Sequence, residues 1–191
     1  GGTPSYTYAI GTGSYTASGI FPGLTAGTYT LHVQDSHGCI HDTSVIVAQP
    51  TALNYDSIVI SNVKCYGDSS GFVTVYASGA TPPYMYAANS KPYQASKLIA
   101  TLKSGASIIH LKDSHGCIHD TTITLTQPAH LLPVIDNIIE PTCEGYPDGS
   151  VTMHGIGGTP SYSYAIDGNT YGTVTTFSKL LEGAHTFHVK D

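Results

Sequence analysis

Apolar and polar residues alternate along most of this chain, in short runs broken by turn-forming residues. "GFVTVYAS" at 71–78 alternates cleanly, as do "SIIHLKD" at 107–113 and "CIHDTTITLTQ" at 117–127. A period of two places every second side chain on one face, the mark of a half-buried strand. Leu53 to Val63 alternates in part, and "YMYAA" follows the "GATPP" turn. "YQAS" at 93–96 and "KLIATL" at 97–102 predict two shorter strands. "SHG" at 114–116 predicts a tight turn, with Gly116 free to take a positive φ. No segment carries a capped 3.6-residue apolar period, so essentially no α-helix is expected. Short strands with turn signals every 8–12 residues or so predict an immunoglobulin-like sandwich.

The pattern repeats. "GGTPSYTY" begins at 1, "GATPPYMY" at 79 and "GGTPSYSY" at 157, an interval of 78 without gaps. "DSHGCIHD" at 35–42 returns at 113–120 with the same interval, as do Cys39 and Cys117, and Cys65 and Cys143. Each "QP", at 49–50 and 127–128, ends an alternating run, and proline does not serve a central ladder. Boundaries are therefore set at 50/51 and 128/129. Residues 51–128 are read as a complete repeat. Residues 1–50 lack their opening strands and 129–191 lack their closing strand, so the chain is expected to be a segment of a longer array. In "LTAGTYTLHV" at 24–33, Tyr29 has the setting of a tyrosine corner, with Ser107 and His185 at the equivalent positions.

Composition narrows the function. Only 10% of the residues are charged and none is arginine. The net charge of −6 with neutral histidines offers no basic stripe for nucleic acid. No apolar run approaches the roughly 20 residues of a membrane helix, so no membrane insertion of this segment is expected. The hydrophobic fraction of 40%, rich in valine, isoleucine, tyrosine and threonine, suffices for a β-core.

The order of "CYGDSSGFVTV", "GATPPYMYA", "LKSGASIIHLKDSHGC" and a threonine-rich strand ending in "TQP", with "CEGYPDGSVTMHGIGGTPSYSYAI" in the third repeat, resembles the SprB-type repeat of giant Bacteroidota surface adhesins. The resemblance spans the whole chain. It implies export by type IX secretion, an extracellular or cell-surface location and, in some members, gliding motility through adhesion. The family's aromatic residue after the second tyrosine is replaced here by Ile10, Ala88 and Ile166, and the recurrent histidines lie outside the family pattern.

Four cysteines, two per repeat, suit a disulfide framework in a secreted protein. The simplest pairing is Cys65 with Cys117, with Cys39 and Cys143 paired outside residues 1–191. It would close a loop of about 50 residues and contribute roughly 4 kcal/mol in the chain-entropy model. In a seven-strand sandwich, however, these cysteines belong to turns at opposite ends. The alternatives are a staple from Cys65 to the hairpin cysteine of the following repeat, and free thiols. His37, Cys39 and His41, and likewise His115, Cys117 and His119, have the alternate spacing of soft and imidazole metal ligands. An oxidised cysteine would leave two histidines, so no cofactor is expected beyond weak transition-metal binding. Asp68 and Asp148 sit in Asp-containing turns that supply too few oxygens for more than weak calcium binding. Tyr6, Tyr84 and Tyr162 are candidate glycan contacts or core residues, and Ser57 and Thr121 lie in tripeptides of the Bacteroidota O-glycosylation type. No nucleophile elbow, phosphate loop or carboxylate pair appears, so no catalytic residue is assigned and the protein is not expected to be an enzyme.

The reading is all-β: tandem immunoglobulin-like (fibronectin III/PKD-like) sandwiches of 78 residues joined end to end. The expected function is a structural stalk or adhesive segment of a large secreted surface adhesin, acting by rigid multivalent presentation. A carbohydrate-binding repeat module, or a segment of an extracellular filament, is the alternative. The expected partners are neighbouring repeats of the same chain, surface glycans, or identical chains in a filament.

Overall fold

The computed structural model describes all residues from Gly1 to Asp191. They form two compact units, Gly1–Ala52 and Leu53–Asp191. In the first unit, β1 (Thr7–Ile10), β2 (Gly27–Gln34) and β3 (Ile40–Val47) make one antiparallel sheet in that order. Within this unit only Ala9 reaches full burial, because no second sheet covers this one. Ile20 to Leu24, in register with strands of the later repeats, forms no strand and leaves Ile20 79% exposed.

The second unit contains the complete repeat: β4 (Asn54–Ser61), β5 (Gly71–Ser78), β6 (Met85–Ala88), β7 (Leu98–Leu102), β8 (Gly105–Lys112) and β9 (Ile118–Leu125). Two antiparallel sheets, β4-β5-β7 and β6-β8-β9, pack face to face. That division, first-second-fifth strands against third-sixth-seventh, is the immunoglobulin-like arrangement without its fourth strand. The expected strand at 93–96 is reduced to a single bridge, Gln94 with Tyr86. Lys91 and Pro92 lead directly into it. The Gln94 side chain turns back to the carbonyls of Ser96 and Leu98, so the segment closes on itself rather than extending a ladder.

Alternation explains the core. On β5, Val73 and Val75 point inward and are fully buried; on β8, Ile109 and Leu111 do the same while Ile108 faces solvent. Leu53, Tyr86, Ala88, Ile99, Leu102, Ile123 and Leu125 complete the cluster from the remaining strands and the segment before β4. Each buried aliphatic side chain contributes on the order of 1.5–3 kcal/mol of transfer free energy. Tyr55 of β4 spans the sandwich: its hydroxyl shares one proton between the carbonyls of Ile109 and His119, each 2.8 Å away.

The same unit continues with β10 (Leu132–Ile139), β11 (Gly149–Ile156), β12 (Ser163–Ile166), β13 (Thr176–Leu180) and β14 (Phe187–Lys190). Its sheets β10-β11-β13 and β12-β14 reproduce the complete repeat less its last strand. Val151, Met153, Tyr164, Ala165 and Ile166 are buried. The tyrosine corner is formed in the first repeat, where the Tyr29 hydroxyl donates to the Thr25 carbonyl at 2.9 Å. In the third repeat His185 Nε2 makes the equivalent bond to the Leu181 carbonyl at 3.0 Å. In the second, Ser107 is too short for that reach and is instead 3.4 Å from the Asn89 amide.

Candidate functional site

The recurring chemistry gathers at the strand ends, beginning with the β8–β9 hairpin. Asp113 closes β8 and is almost fully buried. Its Oδ1 accepts the backbone N–H of His115 at 3.0 Å and of Cys117 at 2.8 Å, and its Oδ2 accepts that of Thr81 at 3.2 Å. Gly116 takes φ +87, which lets the hairpin close beneath the carboxylate. Asp35 binds Thr3, His37 and Cys39 in the same way. Asp191 binds Thr159 at 2.7 Å. The aspartate opening "DSHGCIHD" is thus a clasp that ties the hairpin to the turn preceding β1 or β6, and Asp191 holds the turn preceding β12.

Burial pushes the Asp113 carboxyl upward, but the N–H donors of Cys117, Thr81 and His115 outweigh it and hold the group below its ordinary value. A depressed carboxylate stabilises the fold above pH about 3.8, the unfolded value, and that contribution is lost as pH falls through the folded value. Asp113→Ala is expected to lower the melting temperature at neutral pH and to narrow the gap between the two proteins in acid. Thermal melts of both between pH 2 and about 7 measure this; a constant gap across that range would exclude the linkage.

The aspartate that ends the same motif has a different partner. Asp42 accepts from His32 Nδ1 at 2.6 Å and Asp120 from His110 Nδ1 at 2.8 Å, both across directly opposed strand positions. These pairs were not assigned from sequence, although the antiparallel register of a two-strand hairpin fixes them once the turn is placed. His119 donates through Nδ1 to the Leu53 carbonyl at 2.8 Å and leans on the Tyr55 ring. His37, His41 and His115 stay exposed on the hairpins. No three His, Cys, Asp or Glu side chains converge into a metal-sized group. In the third repeat His185 bonds the Leu181 carbonyl and Asp167, which together hold its imidazole above the ordinary value of 6.5.

The turns between β4 and β5 and between β10 and β11 are closed by their own side chains. Asp68 accepts the Ser69 N–H, and Asp148 accepts both the N–H and the hydroxyl of Thr142. These bonds hold both carboxyls below their ordinary value. Tyr6, Tyr84 and Tyr162 are half-buried, and each hydroxyl donates to the carbonyl of the glycine five positions earlier: Gly1, Gly79 and Gly157. Tyr84 also packs on the core. Each hydroxyl thus ties its ring to its own glycine turn. Ser57 is exposed beside a bulge in β4, and Thr121 is half-buried on β9 opposite Ile109.

The cysteines require a correction. All four are exposed free thiols. Cys65 lies in the turn that bonds to the far end of β9, through Val63 N–H to the Thr126 carbonyl at 3.0 Å and Gly67 N–H to Gln127 at 2.9 Å. Cys117 lies at the near end. The eight residues of β9 hold the two ends roughly 25 Å apart, against the Cα separation of about 4.4–6.8 Å that a disulfide requires. Strand length therefore rules out the pairing of Cys65 with Cys117 in this fold.

The second and third repeats meet without a linker. Ala129 follows Pro128 directly, and its carbonyl accepts the Gly158 N–H at 2.8 Å. His130 stacks edge-on against Tyr66 at 4.9 Å between ring centroids. Asn62 to Cys65, Pro128, Thr159 to Ser161 and Asp191 line one cleft at this junction.

Among solved structures the chain is similar to extracellular domains 3–5 of Drosophila OTK, with 14% identity, coverage of 87% of this chain and 66% of that one, and a TM-score of 0.30. It is also similar to immunoglobulin domains 1–5 of Sidekick-1, with 11% identity, coverage of 93% and 46%, and a TM-score of 0.32. The chain thus spans less than two thirds of either structure's length. No curated protein matches it in sequence. The family model of the SprB repeat matches residues 57–90 and 136–170, the opening strands of the second and third repeats. At both places, in successive repeats, the chain is similar to the SprB repeat.

Proposed function

We propose that this chain is a stalk segment of an extracellular surface adhesin, a structural element without catalytic activity that presents binding sites at a distance from the cell. The observation that carries this reading is the linker-free junction, where Gly158, Ala129, His130 and Tyr66 join two sandwiches inside one compact unit. Repeats stacked in this way transmit force through nearest neighbours and hold a fixed direction, unlike domains on a flexible tether. Presenting many copies on such a rod multiplies weak contacts along its length. Tyrosines committed to bracing their own turns favour the stalk over a carbohydrate-binding platform.

The test is small-angle scattering on arrays of two, four and six repeats. The maximum dimension of a stiff stalk grows in proportion to repeat number. For a flexible chain the growth follows about the square root of that number, and that outcome would remove the stalk reading.

A further inference from the structure

We propose that successive repeats are stapled by a disulfide between the cysteine of one repeat's first turn and the hairpin cysteine of the next repeat. Two independent placements lead to the same contact. At the junction of the second and third repeats, Cys65 and Asp191 line one cleft. Asp191 is the clasp aspartate of the third repeat, already bonded to Thr159 as Asp113 is to Thr81 and Asp35 to Thr3. In both earlier hairpins the residue four positions beyond the clasp is cysteine, and it sits directly against the aspartate. Cys117 donates its N–H to Asp113 and accepts from the Asp113 N–H at 3.0 Å, and Cys39 does the same with Asp35. A third hairpin of the same sequence therefore brings its cysteine to the aspartate that faces Cys65.

The first repeat supplies the second placement. There Cys39 lines a cleft with Gly1, Gly2, Tyr6 and Asp35. In the 78-residue register the third-repeat equivalents are Gly157, Gly158, Tyr162 and Asp191. The hairpin cysteine thus faces the end of the sandwich on which, one junction along, the preceding repeat rests with Cys65.

The chemistry is thiol–disulfide exchange with a small oxidised disulfide such as oxidised glutathione. The Cys65 thiolate attacks and releases one reduced glutathione. The hairpin thiolate then displaces the second, so one protein S–S bond forms as one glutathione disulfide is reduced to two thiols. The inference extends the stalk reading without depending on it, since cysteine pairing and array stiffness are measured separately.

The test uses the chain lengthened after Asp191 by Ser-His-Gly-Cys, equilibrated with glutathione, alkylated and mapped without reduction. The expected result is one peptide joining Cys65 to the added cysteine, with Cys39, Cys117 and Cys143 alkylated. Cys65→Ser should abolish the link and Cys117→Ser should leave it intact. A second reading under reducing conditions uses dibromobimane, which fluoresces when it bridges two neighbouring thiols: the signal should appear in the lengthened chain and vanish with Cys65→Ser. A Cys65–Cys117 peptide, a link from the added residue to Cys143, or alkylation of all five cysteines together with no bimane signal would overturn the proposal.

Discussion

Ile109→Ala is expected to destabilise the complete repeat by about 2–5 kcal/mol, the range for removing a large aliphatic side chain from a packed core. Ile109 is fully buried at the centre of β8, opposite Thr121 on β9 and Ala88 on β6. Both flanking strands hold its backbone, and the Tyr55 hydroxyl holds its carbonyl from the other sheet. The backbone is thus fixed on three sides, and the cavity left by the lost methyl and methylene groups has little freedom to collapse. A repeat of this size has a stability of roughly 4–12 kcal/mol at the usual per-residue value, so the loss takes a large part of it. Urea titration should show a lower midpoint with an unchanged slope. Ile108→Ala is the internal control: one position along the strand, Ile108 is 45% exposed, and its truncation should cost less than about 0.5 kcal/mol. Equal effects at 108 and 109 would mean that β8 does not present the face described. Because repeat arrays couple mainly through nearest neighbours, hydrogen exchange should rise throughout 53–128 and less in the third repeat.

This contrast between adjacent residues is also where the sequence was most legible. The period-two pattern located β5, β8 and β9 almost residue for residue, since a one-residue slip would turn every apolar side chain outward. The short segment at 93–96 forms a single bridge and no strand, because four residues of mixed polarity suit a strand and a loop that caps itself equally well. The 78-residue interval located the hairpins, and the opposite-ends problem of Cys65 and Cys117 followed from topology alone. The roles of the two motif aspartates were not legible. Asp113 and Asp120 are chemically the same and only seven positions apart, yet one is buried against three N–H groups and the other pairs with His110 across the hairpin. Composition carries no information about which face each reaches. The tyrosines were ambiguous for a related reason: a ring that braces a glycine turn and a ring that offers its face to a glycan have the same local sequence.

Gly157→Ala is expected to loosen the junction between the second and third repeats. Gly157 has φ +76, a conformation that costs an alanine roughly 1–2 kcal/mol. Its added Cβ would also stand 2.0 Å from the His130 carbonyl oxygen and 2.8 Å from the carbonyl carbon. Those are backbone atoms at the start of the third repeat, so relief requires moving the chain where it crosses between sandwiches. Strain and overpacking together should destabilise by on the order of 3 kcal/mol. Gly168→Ala separates the two causes, because Gly168 has φ +78 with open space around its missing side chain and carries only the conformational penalty. In Gly157→Ala the Gly158 amide, bonded to the Ala129 carbonyl, should lose exchange protection, and the edge contact between Tyr66 and His130 should weaken. Both should persist in Gly168→Ala. The consequence for function follows from the geometry: if this junction sets the direction of one repeat on the next, an array carrying alanine at every equivalent of Gly157 should have a shorter mean end-to-end distance than the parent array. Equal scattering profiles for the two arrays would show that stiffness resides elsewhere, since the glycine turn is where the third repeat rests on the chain leaving the second.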